Sequence, residues 1–211
     1  MRLTLVPARR RGVEILDASD VDPALRARSH KDIALSNALF GGTTALLVEL
    51  RTAIPMLSST ATLVDVGTGT GEATSLAERF CGSLGVHLRT VGVDFDAGLA
   101  RAARRFAHDG LCASALELPL ADESVDIVTC SQVAHHFEQA DLRVLVAEMD
   151  RVARHRVIIS DLRRSFLAVA GLWASSFPLM FHPVSRHDGV VSILRGFTGA
   201  ELRSLVYEAV G

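Results

Sequence analysis

The apolar positions of this 211-residue chain change period part-way along it. Over residues 20–54 they recur at helical spacing, through Ile33, Leu39, Phe40, Leu46, Leu47 and Leu50. Asp22-Pro23 offers a cap and a first-turn proline, and Gly41-Gly42 divides the stretch into two helices. From residue 62 short apolar runs take over: TLVDV (62–66), RTVGVD (89–94), LCASAL (111–116), VDIVTCSQV (125–133) and RVIISDL (156–162). Helical patterns separate them at 74–84, 97–110 and 142–153. The continuous apolar character of 125–133 suits a strand buried on both faces. Strands alternating with helices predict an α/β fold: a doubly wound, mainly parallel sheet with helices on both faces.

The ends are predicted to carry helices only. Residues 1–58 form a helical cap, 59–162 the α/β core, and 163–211 an apolar helical lid followed by a last core helix. In that lid SFLAVAGLWASSFPLMFHPVS (165–185) is nearly uncharged, but it is short for a bilayer span and Pro178 interrupts it. It reads as a buried or lid helix, with a membrane-surface role as the alternative. Thr198 and Glu201 form a capping box that starts a helix over 199–209. Such a helix ordinarily hands over to another strand, and none follows before Gly211.

Composition narrows the function. Apolar residues make up 49% and charged residues 22%, and the net charge is −2. That excludes a strong basic field for nucleic acid. Arg9-Arg10-Arg11 is a short solvated run. Three cysteines without paired spacing argue against a disulfide framework or a zinc site, so no metal is expected and a cytoplasmic setting is the simplest reading. No secretory leader and no stable membrane insertion are expected.

The chemistry concentrates in LVDVGTGTGEAT (63–74). Gly67, Gly69 and Gly71 follow a strand and open a helix, where main-chain N–H groups can approach a ligand. In an open parallel sheet ligands bind beyond the carboxyl ends of the strands. The spacing is G-x-G-x-G, whereas the dinucleotide fingerprint is G-x-G-x-x-G. Asp65 precedes the loop inside the strand, and Asp94 ends the second strand, 23 residues after Gly71. A carboxylate there can accept both hydroxyls of a ribose, in either cofactor class. A purely structural glycine turn and a helix-capping Asp94 are the bland alternatives, although Asp96 caps better.

LVDVGTGTGEAT followed by VGVDFDAGLARAARR resembles the first two motifs of class I S-adenosylmethionine-dependent methyltransferases. LELPLADESVDIVTCSQVAHHF (116–137) resembles their third block, and RVIISDLRRS their fifth strand. The resemblance covers residues 60–162 and implies a Rossmann-like methyltransferase fold, here without the last two strands. The FGG and RHDGVVSILRGFT segments are similar to small bacterial methyltransferases, some of which are encoded beside polyketide biosynthesis enzymes.

The resemblance implies that Gly67, Thr68, Gly69 and Gly71 cradle S-adenosylmethionine, and the product S-adenosylhomocysteine, through backbone atoms. Asp65 would organise the loop or reach the amino group through water. Asp94 would hold the ribose, Phe95 would pack on the adenine, and Ser114, Ala115 and Leu116 would flank it. Ser131, Gln132 and Val133 would sit under the sulfonium. Two departures stand out: Ser114 replaces a frequent aspartate, and Ala153-Arg154-His155 replaces a Pro-Gly-Gly turn.

His135 and His136, just past the fourth strand, are candidate bases for an acceptor hydroxyl, or else packing residues. His182, His187, Asp188 and Asp161 are further candidates. An apolar acceptor pocket is expected to draw on Leu35, Phe40, Phe166, Leu172, Trp173, Phe177 and Phe181, with His182 as a polar contact. The expected partner is a small hydrophobic acceptor, aromatic or polyketide-like, methylated on oxygen or carbon by a monomer or homodimer. The alternatives are an NAD(P)-dependent oxidoreductase and a cofactor-binding protein without turnover.

Overall fold

The computed structural model describes residues 6–18 and 20–211. Thirteen longer elements run in the order α1 (Pro23–Phe40), α2 (Gly42–Ala53), β1 (Thr60–Val66), α3 (Glu72–Ser83), β2 (His87–Asp94), α4 (Ala97–Ala103), β3 (Asp109–Cys112), β4 (Val125–Ser131), α5 (Gln139–Val152), β5 (Ala153–Ser160), α6 (Phe166–Ser176), α7 (Pro183–Arg195) and α8 (Gly199–Val210). Among the described residues the sheet has five strands, in the order β3-β2-β1-β4-β5. Every pairing is parallel. This is the expected doubly wound α/β architecture.

The described residues divide into two units. One runs up to Gly42 and includes Asp161–Leu202; the other holds Thr43–Ser160 with Arg203–Gly211. This differs from three consecutive segments with boundaries after 58 and 162. The physical reason lies in α2, which buries Leu46, Leu50 and Ala53 against Leu63, Leu88 and Ile127 of the sheet. Each such leucine contributes about 1.5–3 kcal/mol when fully buried, which ties α2 to the sheet.

In the sheet unit β1 and β4 are central. Val64, Val66, Ile127 and Val128 are almost fully buried, as their unbroken apolar runs require. Leu142, Leu145, Val146, Met149 and Val152 of α5 are buried as well. Two predicted boundaries move. The third strand ends at Cys112 and not at residue 116, because the Ser114 hydroxyl accepts the Leu116 N–H (3.2 Å) and its carbonyl accepts Glu117 N–H (3.3 Å), which turns the chain. Helix α4 ends at Ala103 and not at 110, because β3 begins at Asp109 to pair with Val91 of β2.

In the helical unit α1 starts at Asp22, whose carboxylate accepts the Ala24 and Leu25 N–H groups, and ends at Gly41 in the left-handed region. Leu172, Phe181 and Ile193 form a small core with Leu162, Val169 and Leu179. The buried Asp188 carboxylate accepts the N–H groups of Ile15 and Leu16, each at 2.9 Å, and so pins the segment before α1. Residues 165–185 are not one helix: α6 and α7 are separated by a turn carrying Pro178. Among the described residues no single helix is long and apolar enough to cross a membrane. The capping box closes as expected, with Thr198 N–H to Glu201 at 2.7 Å and Glu201 N–H to the Thr198 hydroxyl at 3.2 Å.

Candidate cofactor site

Strand order reverses between β1 and β4, because their next elements wind to opposite sides of the sheet. A crevice for a ligand opens beyond the carboxyl ends of strands at such a switch point. The loop after β1 and the segment after β4 both lie there. A shallow groove of about 380 Å³, lined by residues such as Thr60, His87, Arg89 and Asp126, opens at the opposite, amino-terminal strand ends. It is therefore remote from this crevice.

The three glycines answer to backbone conformation. Gly67, Gly69 and Gly71 have φ of +71°, +57° and +91°, the left-handed region. A Cβ at Gly67 would come within 2.4 Å of a Val133 methyl, so Gly67 also lets the β1 loop and the β4 end meet. A Cβ at Gly69 would meet no protein atom within 4 Å. The loop is held from the β2 side: Val93 carbonyl accepts from Gly67 N–H (2.8 Å) and Thr68 N–H (3.0 Å), and Asp94 Oδ2 accepts from Gly69 N–H (2.9 Å). All three amides expected to face a ligand are thus committed to β2, while the space over the Gly69 Cα stays open.

Asp94 is half-buried, and its Oδ1 accepts the Asp96 N–H at 2.9 Å. Burial pushes its carboxyl above the usual range; the Asp96 and Gly69 amides oppose this, and the Asp96 charge adds to it. A carboxylate offers about four acceptor positions, so acceptor capacity remains for a hydroxyl donor beside the Asp96, Gly69 and Phe95 amides. Asp96 caps α4 by accepting from Gly98 and Leu99, which leaves Asp94 to the loop. Phe95 is 83% exposed.

Asp65 is buried opposite Thr129 in the β1–β4 register. Thr129 Oγ1 donates to its Oδ1 at 2.7 Å. Burial raises its pKa to about 6, with the Thr129 bond pulling the other way.

At the end of β4 the Ser131 hydroxyl is buried without a hydrogen-bond partner. Gln132 adopts φ +58°, and its N–H donates to the Ser160 carbonyl at 2.7 Å. A left-handed non-glycine residue stores about 1–3 kcal/mol of strain and favours functional sites. No sequence signal marks it. Ala134–His136 forms a single 3-10 turn. His135 is buried and His136 exposed, with ring centroids 4.3 Å apart.

Ser114, Ala115 and Leu116 sit half-buried in the turn after β3. Sequence reasoning missed what fixes the chain that follows. Arg151 of α5 donates to the Leu118 and Leu120 carbonyls (3.0 and 2.8 Å) and to Asp122 and Glu148. Glu148 in turn accepts the Leu118 N–H at 2.9 Å.

The proposed acceptor contacts belong to the helical unit. Trp173 and Phe177 meet edge to face with centroids 4.8 Å apart, and the Arg186 guanidinium lies 4.0 Å over Phe177. Phe40 is 55% exposed at the end of α1. His182 is committed to architecture: its Nδ1 accepts the Val184 N–H, capping α7, and its own N–H donates to Asp32. Asp188 is likewise occupied, and Asp161 Oδ1 accepts the Leu162 N–H.

The residues fit an adenosyl ligand. Open space stands over Gly69, an acceptor-rich carboxylate sits at the β2 end, an unpartnered hydroxyl waits at the β4 end, and an exposed phenyl ring lies beside them. Residues 64–160 match the protein family described as "Methyltransferase domain". This segment, 97 of the 211 residues, is similar to a methyltransferase domain. No match to a curated protein is found.

Solved structures share the fold at low identity. The YcgJ protein of Bacillus subtilis is 22% identical with a TM-score of 0.53, over 79% of this chain and 67% of that one. A putative methyltransferase from an antibiotic biosynthesis pathway of Anabaena variabilis is 20% identical with a TM-score of 0.53; the match covers 76% of this chain but only 59% of that one. The plantazolicin methyltransferase BpumL, solved with S-adenosylhomocysteine and a pentazolic analogue, is 13% identical with a TM-score of 0.65, over 89% of this chain and 70% of that one.

Proposed function

We propose that the chain transfers a methyl group from S-adenosylmethionine to oxygen or carbon of a small hydrophobic acceptor, aromatic or polyketide-like. The observation that carries the transferase part is the open left-handed loop at Gly69 beside the Asp94 carboxylate, at the switch point of a parallel sheet. Support for the acceptor class comes from the helical unit, where Trp173 and Phe177 present half-exposed rings without a charged neighbour on α6. BpumL, similar in fold, is described in complex with a pentazolic analogue.

The bound sulfonium supplies an electrophilic methyl carbon whose departure leaves a neutral thioether. The chain's part is alignment and proton transfer. Asp94 would hold the ribose through its remaining acceptor capacity, and Phe95 and the 114–116 turn would flank the adenine. Ser131–Val133, with Gln132 in the left-handed region, would hold the sulfonium end. His136, exposed beside the crevice, takes the proton of an acceptor hydroxyl, while buried His135 holds the ring next to it.

The test is incubation with methyl-labelled cofactor and a panel of phenols and hydroxylated polyketides. Label in a small molecule, with kcat lowered in His136→Ala and KM unchanged, supports the reading. Label only on protein or RNA overturns the acceptor class. A thermal shift with NAD and none with S-adenosylhomocysteine overturns the transferase reading and leaves the oxidoreductase.

A further inference from the structure

Helix α6 is built inside out. Its inner side carries Ala168, Val169, Leu172, Ser175 and Ser176, two of them hydroxyl residues. Both serines turn inward onto their own helix: Ser175 Oγ donates to the Gly171 carbonyl (2.7 Å) and Ser176 Oγ to the Trp173 carbonyl (2.6 Å). The outer side carries the large apolar groups. Phe166 is 52% exposed, Leu167 68%, Trp173 56% and Phe177 48%, with Met180 at 78% just beyond the helix. At 3.6 residues per turn, positions 166, 170, 173 and 177 stack in one row and 167 and 174 flank it. A soluble helix ordinarily points such a row at a core and its serines at water. A contiguous exposed apolar patch of this kind marks an interaction surface.

Charge says what covers it. From Ser165 to Phe181 there is no charged side chain. Basic groups bracket the stretch. Exposed Arg163 precedes it, Arg186 follows it and lies against Phe177, and Arg28 donates from Nη2 to the Met180 carbonyl at 2.7 Å. Asp32, buried, pairs with Arg28 at 3.2 Å and so offsets that one charge, whereas Asp188 is buried and hydrogen-bonded to the Ile15 and Leu16 amides, which leaves Arg163 and Arg186 as the basic rim. An apolar row with an aromatic belt residue and an arginine rim matches a bilayer surface with anionic headgroups. Eleven residues are far short of the roughly 20 needed to span, so the helix must lie flat in the interface.

We propose that the outer face of α6 docks on an anionic lipid surface. This goes beyond methyl transfer and does not depend on it, although a hydrophobic acceptor dissolved in the bilayer would be met on the same face. Trp173 is the chain's one tryptophan, so emission reports on this face alone. The test mixes the full chain with vesicles of phosphatidylcholine alone, and with vesicles of equal parts phosphatidylcholine and phosphatidylglycerol. The expected result is pelleting and a blue shift of Trp173 emission with the mixed vesicles, reduced by added salt. Leu167→Glu loses both while keeping its melting temperature and its S-adenosylhomocysteine affinity. Absence of pelleting and of any emission shift with either vesicle overturns the proposal. So does lipid-free, concentration-dependent blue shift with a dimer in sedimentation velocity that Leu167→Glu dissociates; that result assigns the face to a second copy of the chain.

Discussion

Gly69→Ala separates what the loop does for the fold from what it does for a ligand. The backbone cost is set by φ +57°, where a side chain loses about 1–2 kcal/mol. No steric addition follows, because no atom lies within 4 Å of the new methyl. Reduced freedom of the unfolded chain returns about 0.4–1 kcal/mol, so the net loss is about 1 kcal/mol. For a chain of this size that lowers the melting temperature by about 2–4 °C. Gly67→Ala bears the same strain, but its methyl meets Val133 methyls at 2.4 and 2.8 Å. Overpacking of that kind adds about 1–3 kcal/mol, and Val133→Ala in the same chain should recover part of it. Ligand affinity should order the variants differently. The Gly69 methyl enters the space assigned to the cofactor, so S-adenosylhomocysteine should bind at least about tenfold more weakly, about 1.4 kcal/mol, despite the small loss of stability. Isothermal titration and urea unfolding on the same samples give both numbers. If Gly69→Ala melts slightly lower but binds S-adenosylhomocysteine within twofold of the parent, the loop does not cradle that ligand and the site assignment fails.

Three further outcomes follow from the geometry. Asp65 has its folded pKa raised from 3.8 to about 6. At about 1.4 kcal/mol per pKa unit this corresponds to at most about 3 kcal/mol. A raised value means that the folded state binds the proton more tightly, so this stability is fully present below about pH 4 and lost as pH rises through about 6. Asp65→Asn should therefore gain on the parent between pH 4 and 7.5, and a difference in urea stability that stays constant with pH refutes this. Glu201→Ala removes the carboxylate whose two oxygens accept from Nη2 of the buried Arg164, at 2.6 and 2.8 Å, and opens the Thr198 capping box; because Glu201 is itself partly exposed, a loss of about 2 kcal/mol is expected, with Glu201→Gln losing less, and an unfolding midpoint unchanged in both rules out the pairing. Phe95→Ala should leave stability within about 0.5 kcal/mol yet weaken S-adenosylhomocysteine binding by about 1–3 kcal/mol if the ring stacks on adenine; unchanged calorimetric affinity removes Phe95 from the site.

What was legible in the sequence is what short-range chemistry determines. Five apolar runs became five strands, because a strand buried on both faces has no polar alternation to confuse it. Asp22-Pro23, Gly41, Asp96 and the Thr198–Glu201 box acted within four residues of themselves, and each behaves as its type predicts. The misjudged boundaries lie where a local competitor won: the Ser114 hydroxyl turned the chain that apolar character alone would have continued as strand. Site features were hidden wherever they depend on register. Thr129 faces Asp65 only because β1 pairs with β4, and no spacing in the sequence shows that 65 and 129 are opposite. Gly69 looked like an amide donor to a ligand, yet its N–H is taken by Asp94 from the neighbouring strand. The same carboxylate thus shapes the cradle and keeps acceptor positions for a ribose. Loss of Asp94 should then damage loop and ligand together, whereas loss of Phe95 touches the ligand alone. That contrast follows from the hydrogen bond at 2.9 Å and not from the motif, which would predict the same loss for both.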